Sequence, residues 1–385
     1  MNRRNSETTR LIRAGQTDGK LARTVGPPIQ KGSTVLLAQA AALYADDQPT
    51  YGRGGLATQD ALAAALAELE CATCVRLFPS GLAAMTGAML AVLKSGDEVL
   101  VTDAIYKPTH RFCDRVLRRF GIRVRYYPPR ASPEELLKLA GPATRLIVLE
   151  SPGSLTFEMQ DVPTIAQLAR DKGVLTLIDN TWSAGLLFKP CTHGVDLSVQ
   201  ALTKYVGGHS DVFMGSAATS DSVVAEALDQ AIWDFGWAVA PEDAYQMLRG
   251  LRTLPTRMAR HGQSAVKIAG WLGGQPEIAQ VLFPALPGSP DHEIWTRDFN
   301  GAAGLFSIVL RPCERRAVEA FLDGLSLFGL GFSWGGFESL AIDCNPQFLV
   351  RADHPAFAGP VVRLNIGLED PDDLIADLRR ALDLL

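Results

Sequence analysis

Between residues 98 and 200 the chain alternates short apolar runs with polar, helix-forming stretches. The apolar runs are Glu98–Thr102, Arg123–Tyr127, Arg145–Glu150, Val174–Asp179 and Val195–Val199. All are short, and all but Arg123–Tyr127 are rich in Val, Ile and Leu, as strands buried in a sheet are. His110–Phe120, Ser132–Leu139 and Val162–Lys172 lie between them and read as helices. Strands alternating with helices predict βαβ units and a mostly parallel sheet. Upstream, Ala61–Glu70 is dense in Ala and Leu and predicts a helix. Phe78-Pro-Ser-Gly81 then makes a turn, and Leu82–Leu93 a second helix.

From about residue 246 the pattern changes. A long helical region runs from Tyr245 through Leu272. Strand-like Gly304–Leu310 follows, with a helix near Arg316–Gly324 and the glycine-rich run Ser333–Leu340. Strand-like Val361–Asn365 and a helix from Pro371 close a smaller α/β unit. Residues 1–55 are different again. A short helix through Thr8–Arg13 precedes Pro27, Pro28, Gly32 and Thr50-Tyr-Gly-Arg-Gly-Gly55, which predict an extended arm. The expected division is therefore arm 1–55, main domain 56–245 and C-terminal domain 246–385. Such an arm has little core of its own and is expected to pack on something else, such as a second subunit.

Composition narrows the class. The chain has 385 residues, 47% of them hydrophobic, and a net charge of -5. No basic block or stripe points to nucleic acid, and no apolar run is long enough to span a membrane. The N-terminus lacks the apolar core of a signal peptide. Six cysteines are scattered, and Cys71-x-x-Cys74 has no second pair to complete a metal site. Reduced thiols in a cytoplasmic protein are the expectation.

Open parallel sheets bind ligands at the carboxyl ends of their strands. Tyr106, Glu150, Asp179 and Lys204 all fall at or just past such ends. A desolvated strand-end lysine has a lowered pKa and a nucleophilic amine, although a lysine can also snorkel out of such a place. Ser80-Gly81-Leu82 opens a helix and can either cradle an anion or simply cap it. Asp179 can face a ring nitrogen or cap a turn. Tyr106 can stack on a ring or fill core. Tyr51 and Arg53 can reach a phosphate or form an ordinary turn, and Arg363 can clamp a carboxylate or pair on the surface. Together these residues meet the needs of pyridoxal 5'-phosphate: a lysine, a carboxylate at the pyridine nitrogen, an aromatic face and a phosphate cradle.

The chain resembles the Cys/Met-metabolism pyridoxal-phosphate enzymes, and within them the bacterial cystathionine β-lyase branch. The stretches that carry the resemblance are Tyr51-Gly-Arg53, Leu149–Gly153, Ile178-Asp-Asn-Thr-Trp182, Gln200–Tyr205 with Gly208–Asp211, Arg249–Leu254, Ser333–Leu340 and Arg363–Asp370. Ser333-Trp-Gly-Gly336 together with Ala201 marks the β-lyase branch. The resemblance implies pyridoxal-phosphate fold type I, aspartate-aminotransferase-like, with a seven-stranded, mostly parallel sheet. It implies that Lys204 holds the cofactor and then serves as base, with Tyr106 and Tyr51 also in the catalytic set. Asp179 would pair with the pyridinium and Tyr106 would stack on the ring. Gly81, Leu82 and Thr203 would bind phosphate, with Tyr51 and Arg53 reaching in from a neighbouring subunit. Arg363, Ser333 and Trp334 would hold the substrate carboxylate. The implied reaction is β-elimination of L-cystathionine or a related cysteine S-conjugate to a thiol, pyruvate and ammonia, in a homotetramer built as a dimer of active dimers. Elimination or replacement at Cγ is the alternative chemistry on the same cofactor, and a non-catalytic regulatory role the alternative to an enzyme.

Three positions depart from that pattern. Gly54 stands where the branch commonly has a second arginine, and Lys107 and Arg111 where it commonly has acids. If Lys107 and Arg111 face the substrate, they disfavour a distal ammonium and favour a cysteine conjugate other than cystathionine, such as one with an anionic tail. If both lie on a solvated helix face, they change nothing.

Overall fold

The computed structural model describes residues 24–45, 48–353 and 355–385. The helix expected through Thr8–Arg13 lies outside the described residues. The main sheet has seven strands: β1 (Cys74–Phe78), β2 (Glu98–Thr102), β3 (Arg123–Tyr127), β4 (Thr144–Glu150), β5 (Leu175–Asp179), β6 (Leu197–Gln200) and β7 (Gly215–Thr219). Their spatial order is β1-β7-β6-β5-β4-β2-β3. Only β7 runs against its neighbours, pairing antiparallel with both β1 and β6.

Helices cover the faces of this sheet. They are α1 (Ala57–Glu70), α2 (Gly81–Val92), α3 (Lys107–Phe112), α4 (Pro133–Leu139), α5 (Val162–Asp171) and α6 (Ser222–Phe235). Side chains alternate between two cores, as the two-residue strand period requires. Leu100, Ile147, Leu149 and Ile178 enter one apolar cluster. Val99, Val101, Leu146, Val148 and Leu177 enter the other, against Met85 and Met89 of α2.

The rest of the chain adds α7 (Pro241–Leu251), α8 (Leu254–Leu272), β8 (Ile278–Leu282), α9 (His292–Asp298), β9 (Leu305–Leu310), α10 (Arg315–Asp323), β10 (Gly329–Leu330), β11 (Leu340–Asp343), α11 (Asn345–Phe348), β12 (Val361–Asn365) and α12 (Pro371–Leu382). The five strands form a second sheet in the order β10-β11-β12-β9-β8. The first apolar cluster runs without a break from Leu62 through Trp182 to Leu364, so the two sheets share a core.

Three expectations change. The single helical region 245–272 is two helices, parted at Arg252-Thr253. Pro255 lies in the first turn of α8 and has no N–H to bond the Leu251 carbonyl, so the hydrogen-bond ladder of α7 cannot run on through it. The helix expected over His110–Phe120 starts earlier, at Lys107, and its last two segments are a π turn and a 3-10 turn. Strands β1 and β7 were not expected. Gly-Ser-Ala-Ala-Thr has little strand propensity, yet β7 is buried at every position. Close packing selects its small residues: a Cβ on Gly215 would lie 2.4 Å from the Ser80 carbonyl oxygen.

Candidate active site

The carboxyl ends of β2, β4, β5 and β6 open into a cavity of about 660 Å³, closed on its other side by the loop before β11 and by β12. Parallel register sets its floor. Glu150 at the end of β4 pairs with Asp179 at the end of β5, and Asp179 with Val199 of β6. Asp179 Oδ1 accepts hydrogen bonds from the Thr181 backbone N–H (3.0 Å) and hydroxyl (2.5 Å). Thr181 Oγ1 in turn accepts from the Ala201 N–H at 2.9 Å, tying the ends of β5 and β6 together. Burial raises the Asp179 pKa; Thr181 and the Lys204 charge oppose the shift.

Lys204 follows the exit of β6. Its backbone N–H bonds to Ala201 O at 3.0 Å, and its carbonyl accepts from Gly208 N–H at 2.8 Å. Its Nζ enters the cavity, donates to Ser333 Oγ at 2.9 Å and lies 5.4 Å from the Trp334 ring centre. Burial is the main cause that lowers its pKa to about 8; the Arg363 charge adds to this and Asp179 opposes it. The segment after it is pinned from behind. Arg257 donates to Tyr205 O (2.6 Å), Val206 O (3.2 Å) and Gly250 O (2.8 Å). On the cavity side, Gly335 (φ +79°) passes so close that a Cβ would sit 2.9 Å from Tyr205 N and 3.1 Å from Lys204 C.

Gly81 and Leu82 open α2 at the cavity edge. Ser80 caps the helix by accepting from Ala83 N–H at 3.1 Å, and the first-turn N–H groups form an anion cradle. A Cβ at Gly81 would come within 2.3 Å of the Ala201 Cβ, so only glycine lets α2 approach β6 this closely. Thr203 lines the same edge and exchanges hydrogen bonds with Met214 at 3.0 and 3.2 Å. Tyr106 is held by its backbone N–H, which donates to Glu150 Oε2 at 2.7 Å, and its ring lines the cavity. Burial pushes the Tyr106 hydroxyl pKa up, as it does the Glu150 carboxyl.

Arg363 on β12 is 7% exposed. Its Nη2 donates to Phe332 O (2.9 Å) and Ser333 O (3.1 Å), while its buried Nε has no partner. Burial pulls its pKa down to about 10. Its Nη1 makes no hydrogen bond among the described residues and is not sealed from solvent, so this cavity-lining guanidinium keeps a donor for an anion.

Of the residues expected in a site, this cavity brings together Gly81, Leu82, Tyr106, Lys107, Asp179, Thr203, Lys204, Ser333, Trp334 and Arg363. Arg111 is exposed and outside the lining, so only one of the two basic departures faces the cavity. Tyr51 and Arg53 also lie outside it. Arg53 donates to Trp233 O at 3.0 Å and stacks 4.3 Å from that ring, on α6. Gly54 packs there too: a Cβ would meet Trp233 at 2.8 Å. Thr181, Arg257 and Gly335 went unnoticed as supports. The Asp179-Asn-Thr181 spacing carried a signal for the first, because a hydroxyl two residues after a carboxylate folds back onto it.

An aspartate, a half-exposed tyrosine and a depressed lysine over a helix N-terminus define an enzyme that handles amines through an anionic carbonyl cofactor. The residues fit such a group: the Gly81 cradle would be filled by a Cβ, and Arg363 Nη1 is left without a hydrogen bond among the described residues. The model of the Cys/Met metabolism PLP-dependent enzymes matches residues 8–383, and the chain belongs to that family. Its cofactor is pyridoxal 5'-phosphate. The cystathionine beta-lyase of Bordetella avium is 43% identical over 87% of this chain and 84% of its own length. That of Escherichia coli K12 is 40% identical over 96% of both. The crystal structure of metB from Corynebacterium glutamicum superposes with a TM-score of 0.88 at 31% identity, covering 98% of each chain.

Proposed function

We propose that this chain breaks the Cβ–S bond of a cysteine thioether, cystathionine or a related cysteine S-conjugate, giving a thiol, pyruvate and ammonia. The observation that carries the reading is the Lys204 amine, held at a pKa of about 8 between Ser333, Trp334 and Arg363. Pyridoxal phosphate supplies a carbonyl for the substrate amine and a sink for the electrons left at Cα.

The residues divide the remaining work. Asp179, with Oδ1 engaged by Thr181, would pair with the pyridinium of the cofactor, and a cation there would offset the effect of its burial. Gly81, Leu82 and Thr203 would hold the phosphate, and Tyr106 would cover the ring. Arg363 takes the substrate α-carboxylate, which fixes Cα beside Lys204. Lys204 holds the cofactor at rest. Once its amine is free, it takes the Cα proton, and a pKa of about 8 lets it do so near neutral pH. Ser333 Oγ, 2.9 Å from Nζ, orients the amine.

The homotetramer implied above, with Tyr51 and Arg53 completing a neighbouring copy's cavity, is part of the reading. The position of both residues outside this chain's own cavity supports it, as does the 47% exposure of Tyr51. No helix among the described residues is long and apolar enough to cross a membrane, and we place the enzyme in the cytoplasm.

The test is a panel of cysteine thioethers, L-cystathionine included, scored for free thiol and keto acid. Pyruvate is expected, and Lys204→Ala is expected to lower the rate by at least about 10²–10⁴-fold. Formation of 2-oxobutyrate from cystathionine overturns β-elimination in favour of chemistry at Cγ.

A further inference from the structure

We propose that Lys107 and Gln347 form a subsite for a carboxylate on the leaving-thiol side of the substrate. The proposal rests on the β-lyase reading of the same cavity and narrows its substrates to L-cysteine thioethers whose S-substituent ends in an anion.

The cavity has two separate places for an acid. One is Arg363, beside Lys204. The other is offered by the start of α3 and by α11, which both line the cavity. Lys107 opens α3, lines the cavity and makes no ion pair among the described residues. Gln347 sits on α11 and lines the same cavity. Its side-chain amide makes no hydrogen bond among the described residues; Nε2 faces inward, and a half-turn of the amide carries it to the accessible place of Oε1. Leaving an amide donor buried and unpaired is unfavourable, so a Gln retained in that state on a cavity wall is suited to a ligand that accepts from it.

Contacts between the two sheets bring these residues to one rim. Asp103, four residues before Lys107, accepts from Ala352 N–H (2.9 Å) and Asp353 N–H (3.0 Å), just beyond α11. Arg351 donates to Ser154 O (2.8 Å) and Thr156 Oγ1 (2.7 Å) and pairs with Glu158 at 3.7 Å. The chain that carries Gln347 is thereby docked on the loops beside Tyr106 and Lys107. Pro108, Phe332 and Pro346 supply apolar walls around them, which strengthen a charge contact by keeping water out.

One acid shares the wall. Asp343 lines the cavity, and its Oδ1 accepts from Asn345 N–H (2.9 Å) and Nδ2 (2.6 Å). Its charge opposes a second anion, so its removal strengthens the subsite. Arg111 lies outside the lining and contributes no contact.

The experiment compares S-(2-carboxyethyl)-L-cysteine with S-(3-methylbutyl)-L-cysteine, its neutral isostere. The readout is the ratio of their kcat/KM values within each protein, which cancels any loss of folded or loaded enzyme. The wild type is expected to favour the acid by about 10–100-fold, the range of one or two charge-assisted hydrogen bonds. Lys107→Met brings the ratio to within a few-fold of one. Gln347→Leu lowers it several-fold, and Asp343→Asn raises it. The same ratio is read by calorimetry as dissociation constants on pyridoxal-phosphate-loaded Lys204→Ala protein, which binds without turnover. A wild-type ratio near one, or a ratio that Lys107→Met leaves unmoved, overturns the subsite. If calorimetry gives the expected ratios while neither thioether yields pyruvate, the β-lyase reading fails and the subsite stands.

Discussion

The floor of the cavity and its rim are built in different ways. On the floor, Asp179, Thr181, Ala201 and Lys204 are locked by strand register and by a chain of hydrogen bonds from one strand end to the next. Gly81 and Gly335 press backbone against that chain from two sides. On the rim, Lys107 and Gln347 come from short helices after strands of different sheets and are held by loop contacts through Asp103 and Arg351. The lysine has no ion partner and the amide no acceptor among the described residues. A sheet edge repeats its geometry whatever side chains it carries, so it suits chemistry that must not vary. A rim of loops can change its charges without disturbing the strands beneath, so it suits the choice of substrate.

That contrast can be broken from either side. The largest effect is expected from Asp179→Ala on the floor. Loss of a buried charge partner costs about 2–5 kcal/mol. Cofactor affinity, measured by absorbance titration, should fall by roughly two to three orders of magnitude, and all thioethers should suffer alike. Equal cofactor affinity in the variant would show that Asp179 does not hold the ring.

Arg351→Met acts on the rim. It leaves Ser154 O and Thr156 Oγ1 without the Arg351 donor and Glu158 without its ion pair, at about 1–3 kcal/mol by thermal or chemical unfolding. Because it loosens the docking of Gln347, the preference between charged and neutral tails should weaken more than the rate on either. A uniform loss across tails would place Arg351 with the floor.

The smallest effect concerns Lys204 in cofactor-free protein. Its folded pKa of about 8 lies below its ordinary 10.5, so the folded state binds fewer protons than the unfolded chain between those values. Wild-type stability therefore rises as pH climbs from 8 to 10.5. Lys204→Met should raise Tm by a few degrees at pH 7, and the gain should shrink across that window. A gain that does not change with pH would trace to packing instead of charge.

Much of the floor was legible in advance. The runs ending in Asp179 and leading to Lys204 are apolar because they are buried on both faces, and a charge at the end of such a run stands out. The rim was not legible. Lys107 and Arg111, four apart, read as one helical face, yet only Lys107 reaches the cavity, because α3 begins at that residue beside Tyr106. Gln347 carried no signal at all, being an ordinary polar residue on a short turn.

Local pattern by itself determined the alternation of strands and helices, the strand-end lysine and aspartate and the glycines of the anion cradle, because these follow from burial and backbone sterics along the chain. Tertiary structure alone decided where β7 inserts, that Arg53 stacks on Trp233, and that Lys107 and Gln347 line one cavity. Those depend on which segments meet across long separations, and no local periodicity records such meetings.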